Sequence, residues 1–492
     1  MSRHCRAVCV TNAAVASLVV VNGRVWSQPS ATAVAVDGER ITAVGADVDV
    51  SRATRVIDAG GATIVPAFND AHVHFLMASR SLGQLDLFGV ETTAEVERRI
   101  VEYARSQHDG WIVGRGWLYS AFPDGMPTIE LLDRLVPDRP AYIESFDAHT
   151  GWANSRALEI AGAPAGRVLI EEEAMRQMTR HIPRGGRAED LDALRAGMRL
   201  AAARGVGSVQ EAGNGLKQLA LWQSLRESGE LKVRVRLAFD MTPGTAMDEW
   251  ARRLDDYDEA RGGGDRWIST GILKAFADGV VESRTAALLE PYADSDHRGE
   301  PLWEGGELAA AVRIADARGW QVQVHAIGDA AIRQALDAFE GTTPGRRHRV
   351  EHIESPDPSD VLRFARLGVV ASMQPQHAEP RLTEVWRRNL GTPRAMRGWP
   401  WRELHDSGAR LAFGTDWPVV PLDPFASLGV ASQRLTQAEA VDAWTSGSAY
   451  AEHAEHEKGE LREGMLADIA VIDLDLEHVK ATIVGGAVVY ES

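Results

Sequence analysis

The chain has almost no cysteine. Among 492 residues there are two, Cys5 and Cys9, so a disulfide framework is excluded and a reducing compartment fits. A zinc site built on thiolates is excluded as well, because two cysteines at a terminus cannot close a tetrahedron. Long apolar runs are missing: no window approaches the roughly 20 residues of a membrane span. Arg3 and Arg6 precede an apolar stretch to Val21, which resembles the start of a signal peptide. Thr11 and Asn12 interrupt it and no small-residue cleavage site follows, so we expect a cytoplasmic protein. Basic charge is short too, with 53 Lys and Arg against 70 Asp and Glu for a net charge of -17. Phosphate contacts need clustered cations, so neither nucleic acid nor an anionic membrane is an expected partner. Lysine is the scarcest cation: only Lys217, Lys232, Lys274, Lys458 and Lys480 occur.

What is present is a globular chain, 45% hydrophobic and 25% charged, long enough for one large domain and a smaller one. Both ends read as short strands with tight turns. Leu18–Val21, Asn22-Gly23 and Arg24–Trp26 read as a β-hairpin, and Ala33–Val36 with Ile41–Val44 as a second. Near the other end, Ala467–Asp473 reads as a strand and Thr482–Tyr490 as a hairpin around Gly485-Gly486. We therefore expect a composite β-sandwich domain from residues 1–66 and 454–492, wrapped around a barrel at 67–453 that carries an insertion at about 101–197.

The middle alternates apolar strands with helical stretches such as 306–318, 330–339 and 360–367, as a parallel α/β fold does. Candidate strands are Ile64–Phe75, Ala141–Phe146, Gly207–Glu211, Val233–Phe239, Thr270–Phe276, Gln321–His325, Arg349–Ile353, Val369–Met373 and Leu411–Thr415. Assigning Ala141–Phe146 to the irregular insertion leaves eight, the number of a (β/α)₈ TIM barrel.

Active sites of such barrels lie at the C-terminal strand ends. His72 and His74 close the first strand, Lys274 lies on the fourth, and His325 and His352 end the fifth and sixth. Asp416 follows the eighth. In His72-Val73-His74 the i, i+2 spacing puts both imidazoles on one face. Alone, each residue reads as readily as a core or capping group; together, imidazoles and a carboxylate suit zinc, manganese or iron. Lys274 sits in the apolar run Thr270-Gly-Ile-Leu-Lys-Ala-Phe-Ala277, where burial favours the neutral amine. A neutral amine takes up carbon dioxide as a carbamate that can bridge two metals; the plain alternative is a salt bridge to Asp278 or Glu211.

The supporting phrases are Val65-Pro-Ala-Phe-Asn-Asp-Ala-His-Val-His74, Ser145-Phe-Asp-Ala-His149 with Trp152-Ala-Asn-Ser155, Lys274-Ala-Phe-Ala-Asp-Gly279, His325-Ala-Ile-Gly-Asp329, Arg349-Val-Glu-His352 and Gly414-Thr-Asp416. In these the sequence resembles the amidohydrolase superfamily of metal-dependent hydrolases, and within it the family 3 branch that includes N-substituted formamide deformylases. The resemblance implies one or two divalent ions, zinc first. His72, His74 and Asp416 would hold one, and His325 and His352 the second, with carbamylated Lys274 bridging. It further implies metal-activated water, with Asp416 as general base and then acid. Ala67 departs from the family's usual glycine after Pro66 but removes no ligand. Expected substrate contacts are Trp117, Asp147, His149, Arg284 and Gln374, with Tyr119 and Trp152 beside them.

The expected activity is hydrolysis of a non-peptide C–N bond of a small molecule: an amide, N-acyl or N-formyl group. Rivals are ester, lactone or carbamate hydrolysis at the same site, a catalytically silent metal-containing binding protein, and a lyase or isomerase. A homodimer is the oligomer considered.

Overall fold

Pro66 and Ala67 divide two architectures. The structure, a computed structural model, describes residues 16–51, 53–163, 169–183, 185–261, 265–475 and 477–492. Arg3, Cys5, Arg6 and Cys9 lie outside the described residues. The expected single strand Ile64–Phe75 is two strands in two sheets. Thr63–Pro66 pairs with Ile469–Asp473 near the chain's other end, and proline offers no N–H to extend that ladder. Ala67 N then donates to Asp468 O (3.0 Å), and Phe68 N to Gly205 O (2.9 Å), which moves the chain into the barrel.

The barrel is eight parallel strands hydrogen-bonded in chain order: β1 (Phe68–Val73), β2 (Val206–Glu211), β3 (Arg234–Asp240), β4 (Ile268–Phe276), β5 (Gln321–Ala326), β6 (Arg349–His352), β7 (Val370–Met373) and β8 (Leu411–Phe413). Both faces of such a sheet are covered, so the strands read as apolar runs. Helices Glu307–Ala317, Asp329–Phe339 and Val361–Leu367 lie in the connections, as the periodicity predicts. The seam between β8 and β1 closes beyond the strand ends, where Asp416 N donates to His72 O (2.7 Å) and His74 N to Trp417 O (2.8 Å). Gly414 permits that approach. A Cβ there would stand 2.5 Å from His72 N and 2.7 Å from Asp70 Oδ1.

Two further sheets hold strands from the chain's outer segments. One is ordered Arg40–Gly45, Ala33–Asp37, Leu18–Val21, Arg55–Asp58; the other Arg24–Val25, Thr63–Pro66, Ile469–Asp473, His478–Val484, Ala487–Glu491. Val20, Val34, Ile57, Ile64, Ile469 and Ile483 share one buried cluster between them. The expected hairpin at Asn22-Gly23 is not one: Leu18–Val21 and Arg24–Val25 lie in different sheets. Asn22, at φ 57°, turns the chain between them, and a Cβ on Gly23 would sit 2.5 Å from Ile64 Cδ1.

Ala141–Ser145 belongs, as expected, outside the barrel. It lies in a separate sheet with Leu85–Asp86, Ile112–Trp117, Thr150–Ala153 and Leu169–Ile170, so the inserted sheet starts before residue 101. Among the described residues no helix is long and apolar enough to cross a membrane.

Candidate metal centre

His72, at the end of β1, is fully buried; His74 follows it as the N-cap of the short helix Phe75–Ser81. Asp416 follows β8 with φ 59°, a left-handed backbone that turns its carboxylate back over the strand ends. The three donors converge: Asp416 Oδ1 lies 3.5 Å from His72 Nε2 and 3.4 Å from His74 Nε2. Asp416 Oδ1 is buried and has no hydrogen-bond partner. Burial pushes Asp416 up to about 6 and His74 down to about 3, and it holds His72 well below the ordinary imidazole value. Neutral imidazoles keep a lone pair for a metal.

The tautomer of His72 is set from below. Its Nδ1 donates to Glu351 Oε2 (2.5 Å), which leaves Nε2 as the acceptor nitrogen facing Asp416. Glu351 is in turn held by Arg349, whose Nε lies 2.8 Å from Oε1. Arg349 also donates to Gln210 Oε1 (2.5 Å), Ala71 O (2.6 Å) and Ser372 Oγ (2.8 Å). All three side chains are fully buried, and a histidine ligand backed by a carboxylate is the usual supporting arrangement at metal sites.

Lys274 lies beside this group. Its Nζ is 3.3 Å from His72 Nε2 and 4.5 Å from the centre of the Phe276 ring. Neither expected salt bridge forms. Glu211 instead accepts from Phe75 N (2.8 Å), and Asp278 accepts from Ile327 N (3.0 Å), Gly328 N (2.8 Å) and Ala287 N (2.9 Å). Burial pushes Lys274 down to about 8. His325, on β5, donates through Nε2 to Gly279 O (3.2 Å), which leaves Nδ1 as the acceptor. His352, at the end of β6, donates through Nδ1 to Gln374 Oε1 (2.8 Å), and its Nε2 is buried without a partner. The His325 and His352 rings are 4.5 Å apart, and His72 and His352 are 4.9 Å apart. The structure thus brings together His72, His74, Lys274, His325, His352, Asp416 and Gln374.

Sequence reasoning missed His377. It lies in the turn Pro375–Ala378 after β7, with Nε2 buried, unpartnered and 4.0 Å from Asp416 Oδ2. Its Nδ1 donates to Glu354 Oε1 (2.8 Å). His377 and Glu354 were hidden because neither lies on a strand; the one signal was a histidine three residues past Gln374 at a strand end.

The expected substrate contacts divide. Asp147 and His149 lie in the turn after Ala141–Ser145, with the His149 ring 5.6 Å from that of His325. Trp117 is engaged elsewhere. It is fully buried in the inserted sheet, donates to Ile143 O (3.1 Å) and packs on Tyr119 and Phe122. Tyr119 and Trp152 share that core, bonded to Thr150 Oγ1 (2.8 Å) and Thr128 O (2.8 Å). Arg284 is engaged by Asp294 (2.6 Å) and Asn389 (3.2 Å). Aromatic and ionic side chains in a large insertion satisfy one another first, which the sequence pattern does not reveal.

The donor set fits a divalent ion: neutral imidazoles, a carboxylate without a partner on Oδ1, and no thiolate. Comparisons with known proteins agree. A family model described as Amidohydrolase family matches residues 55–490. A putative amidohydrolase of Bacillus subtilis is 28% identical over 89% of this chain and 91% of its own. The N-substituted formamide deformylase of Arthrobacter pascens is 24% identical over 93% of each. An uncharacterized metal-dependent hydrolase from Pyrococcus furiosus superposes with a TM-score of 0.71 at 26% identity, covering 93% of this chain and 99% of that one.

Proposed function

The chain belongs to the amidohydrolase family and is a hydrolase, and from that premise we propose that it cleaves a non-peptide C–N bond in a small amide, N-acyl or N-formyl amine. The observation that carries this is the convergence of His72 Nε2, His74 Nε2 and Asp416 Oδ1, with Asp416 Oδ1 and His352 Nε2 both buried and unpartnered. The similarity to a formamide deformylase supports the choice of bond.

His72, His74 and Asp416 would hold one ion, and His325 Nδ1 and His352 Nε2 a second, zinc being the first choice for both. Lys274 would bridge them after its neutral Nζ adds to the carbon of carbon dioxide and loses a proton, giving a carbamate. A divalent ion supplies Lewis acidity, polarising an acyl oxygen and lowering the pKa of water from about 16 to about 7. The chain's own residues then manage protons. Asp416 Oδ2 takes a proton from the attacking water and delivers it to the leaving nitrogen, so the C–N bond breaks to a neutral amine. His377, fixed by Glu354, stands 4.0 Å from that oxygen. As part of the same proposal the protein is cytoplasmic, acts on a small molecule rather than nucleic acid or membrane, and is tested for a homodimer.

The test is metal analysis of the purified protein with activity panels of N-formyl amines, N-acyl amines and esters. We expect stoichiometric divalent metal and amide hydrolysis that chelation abolishes and metal restores. Metal without turnover would make this a binding protein, and ester cleavage alone would give the rival chemistry. Product lacking oxygen-18 from labelled water would point to a lyase or isomerase.

A further inference from the structure

The turn between Ala141–Ser145 and Thr150–Ala153 lies over the barrel mouth, where the His149 ring is 5.6 Å from that of His325. Within it Asp147 is only 7% exposed. Its Oδ1 accepts from Ser145 Oγ and from His149 N (3.0 Å), two bonds that fix the carboxylate's orientation. Its Oδ2 is buried and has no hydrogen-bond partner. Arg115 feels its charge but donates to Phe146 O (3.2 Å) and forms no ion pair within 4.0 Å among the described residues. On the barrel side the charge of Asp147 acts on Glu282, Glu354 and His377, the last of which stands beside Asp416. Buried carboxylate oxygens are acceptors that native structures satisfy, so this one calls for an N–H or O–H donor brought by something else.

We propose that Asp147 Oδ2 accepts the N–H of the substrate and thereby selects secondary amides and formamides over esters and N,N-disubstituted amides. The proposal rests on the hydrolase reading above and narrows its substrate class. An ester presents oxygen where the amide presents N–H, so Oδ2 would meet a second acceptor and stay unpaired. Sites built to bond a substrate N–H reject analogues lacking it by large factors for this reason. The same bond orients the nitrogen that departs as an amine.

The experiment compares kcat/KM of the metal-loaded enzyme for N-butylformamide, N-butyl-N-methylformamide and butyl formate, alongside calorimetric binding of butylamine. In Asp147→Ala the preference for N-butylformamide over both analogues should fall about 100-fold, and butylamine should bind at least about 10-fold more weakly. Asp147→Asn keeps an oxygen for Ser145 and His149 but presents a donor in place of Oδ2, so it should shift the preference toward butyl formate. Equal losses on all three substrates, or butylamine affinity unchanged in both variants, would overturn the proposal. Absence of turnover in the wild type would count against the hydrolase reading alone, because butylamine binding still decides the role of Asp147.

Discussion

Replacing Glu351 by glutamine should weaken both the fold and the metal centre. Glu351 bonds His72 Nδ1 at 2.5 Å and Arg349 Nε at 2.8 Å, and none of the three side chains is exposed. Glutamine keeps the size and one acceptor but removes the charge opposite a buried guanidinium. Breaking one side of such a pair costs about 3–5 kcal/mol, a large part of the roughly 5–15 kcal/mol that holds most domains together. Arg349 keeps its bonds to Gln210, Ala71 and Ser372, which places the expected loss toward the lower end. The metal effect is separate. Losing the carboxylate that fixes the tautomer of a histidine ligand costs about 10–100-fold in affinity, or about 1.4–2.7 kcal/mol. Urea unfolding of the chelated protein, followed by tryptophan fluorescence, reads the first loss; competition with a chelator reads the second. A Glu351→Gln protein with wild-type unfolding midpoint and wild-type metal affinity would refute the coupling. A lower midpoint with unchanged affinity would keep the ion pair and discard the tautomer argument.

Asp416→Asn should preserve far-UV circular dichroism while lowering kcat about 10²–10⁴-fold; normal turnover would remove Asp416 from proton transfer. Lys274→Ala should bind less metal after reconstitution, and reconstitution of the wild type should depend on bicarbonate, with a carbamate signal from carbon-13-labelled bicarbonate in NMR. Intact metal content and activity would exclude the bridging role. Gly414→Ala drives a methyl to 2.5 Å from His72 N, so we expect about 1–3 kcal/mol of destabilisation together with weaker metal retention, read by calorimetry and metal analysis. Burial pushes Glu211 from 4.5 up to about 8. Between those values the folded chain keeps a proton that the unfolded chain has released, so the carboxyl's contribution falls as pH rises, by up to about 1.4 kcal/mol per pH unit. The stability of chelated wild type minus that of Glu211→Gln should therefore decline from pH 5 to pH 8; a flat difference would contradict the burial argument.

The barrel was legible because its strands are apolar and its helices periodic, and the ligand candidates because histidines at strand ends are conspicuous. The break in the expected strand Ile64–Phe75 was not, since Ile64, Val65 and Phe68 continue one apolar run and only hydrogen-bond partners tell its halves apart. Arg349 and Glu351 look like solvent-facing charges on alternate positions of a strand, yet that alternation points both into the barrel, where each neutralises the other. His377 depends on a turn whose position comes from tertiary packing. The partners of Trp117 and Arg284 were hidden for a related reason: Ile143 and Asn389 are distant in sequence.

The strand Thr63–Pro66 waits a long time for its neighbour. Val65 pairs with Ala470, about 400 residues downstream, and a ribosome adding about 5–20 residues per second needs about 20–80 s to make that stretch. Throughout that interval the nascent chain carries an unsealed β edge rich in Ile64 and Val65, the kind of edge that recruits foreign strands. Sealing comes only once Ile469–Asp473 has been made, so a chain cut before Ile469 leaves that edge of the Thr63–Pro66 strand open.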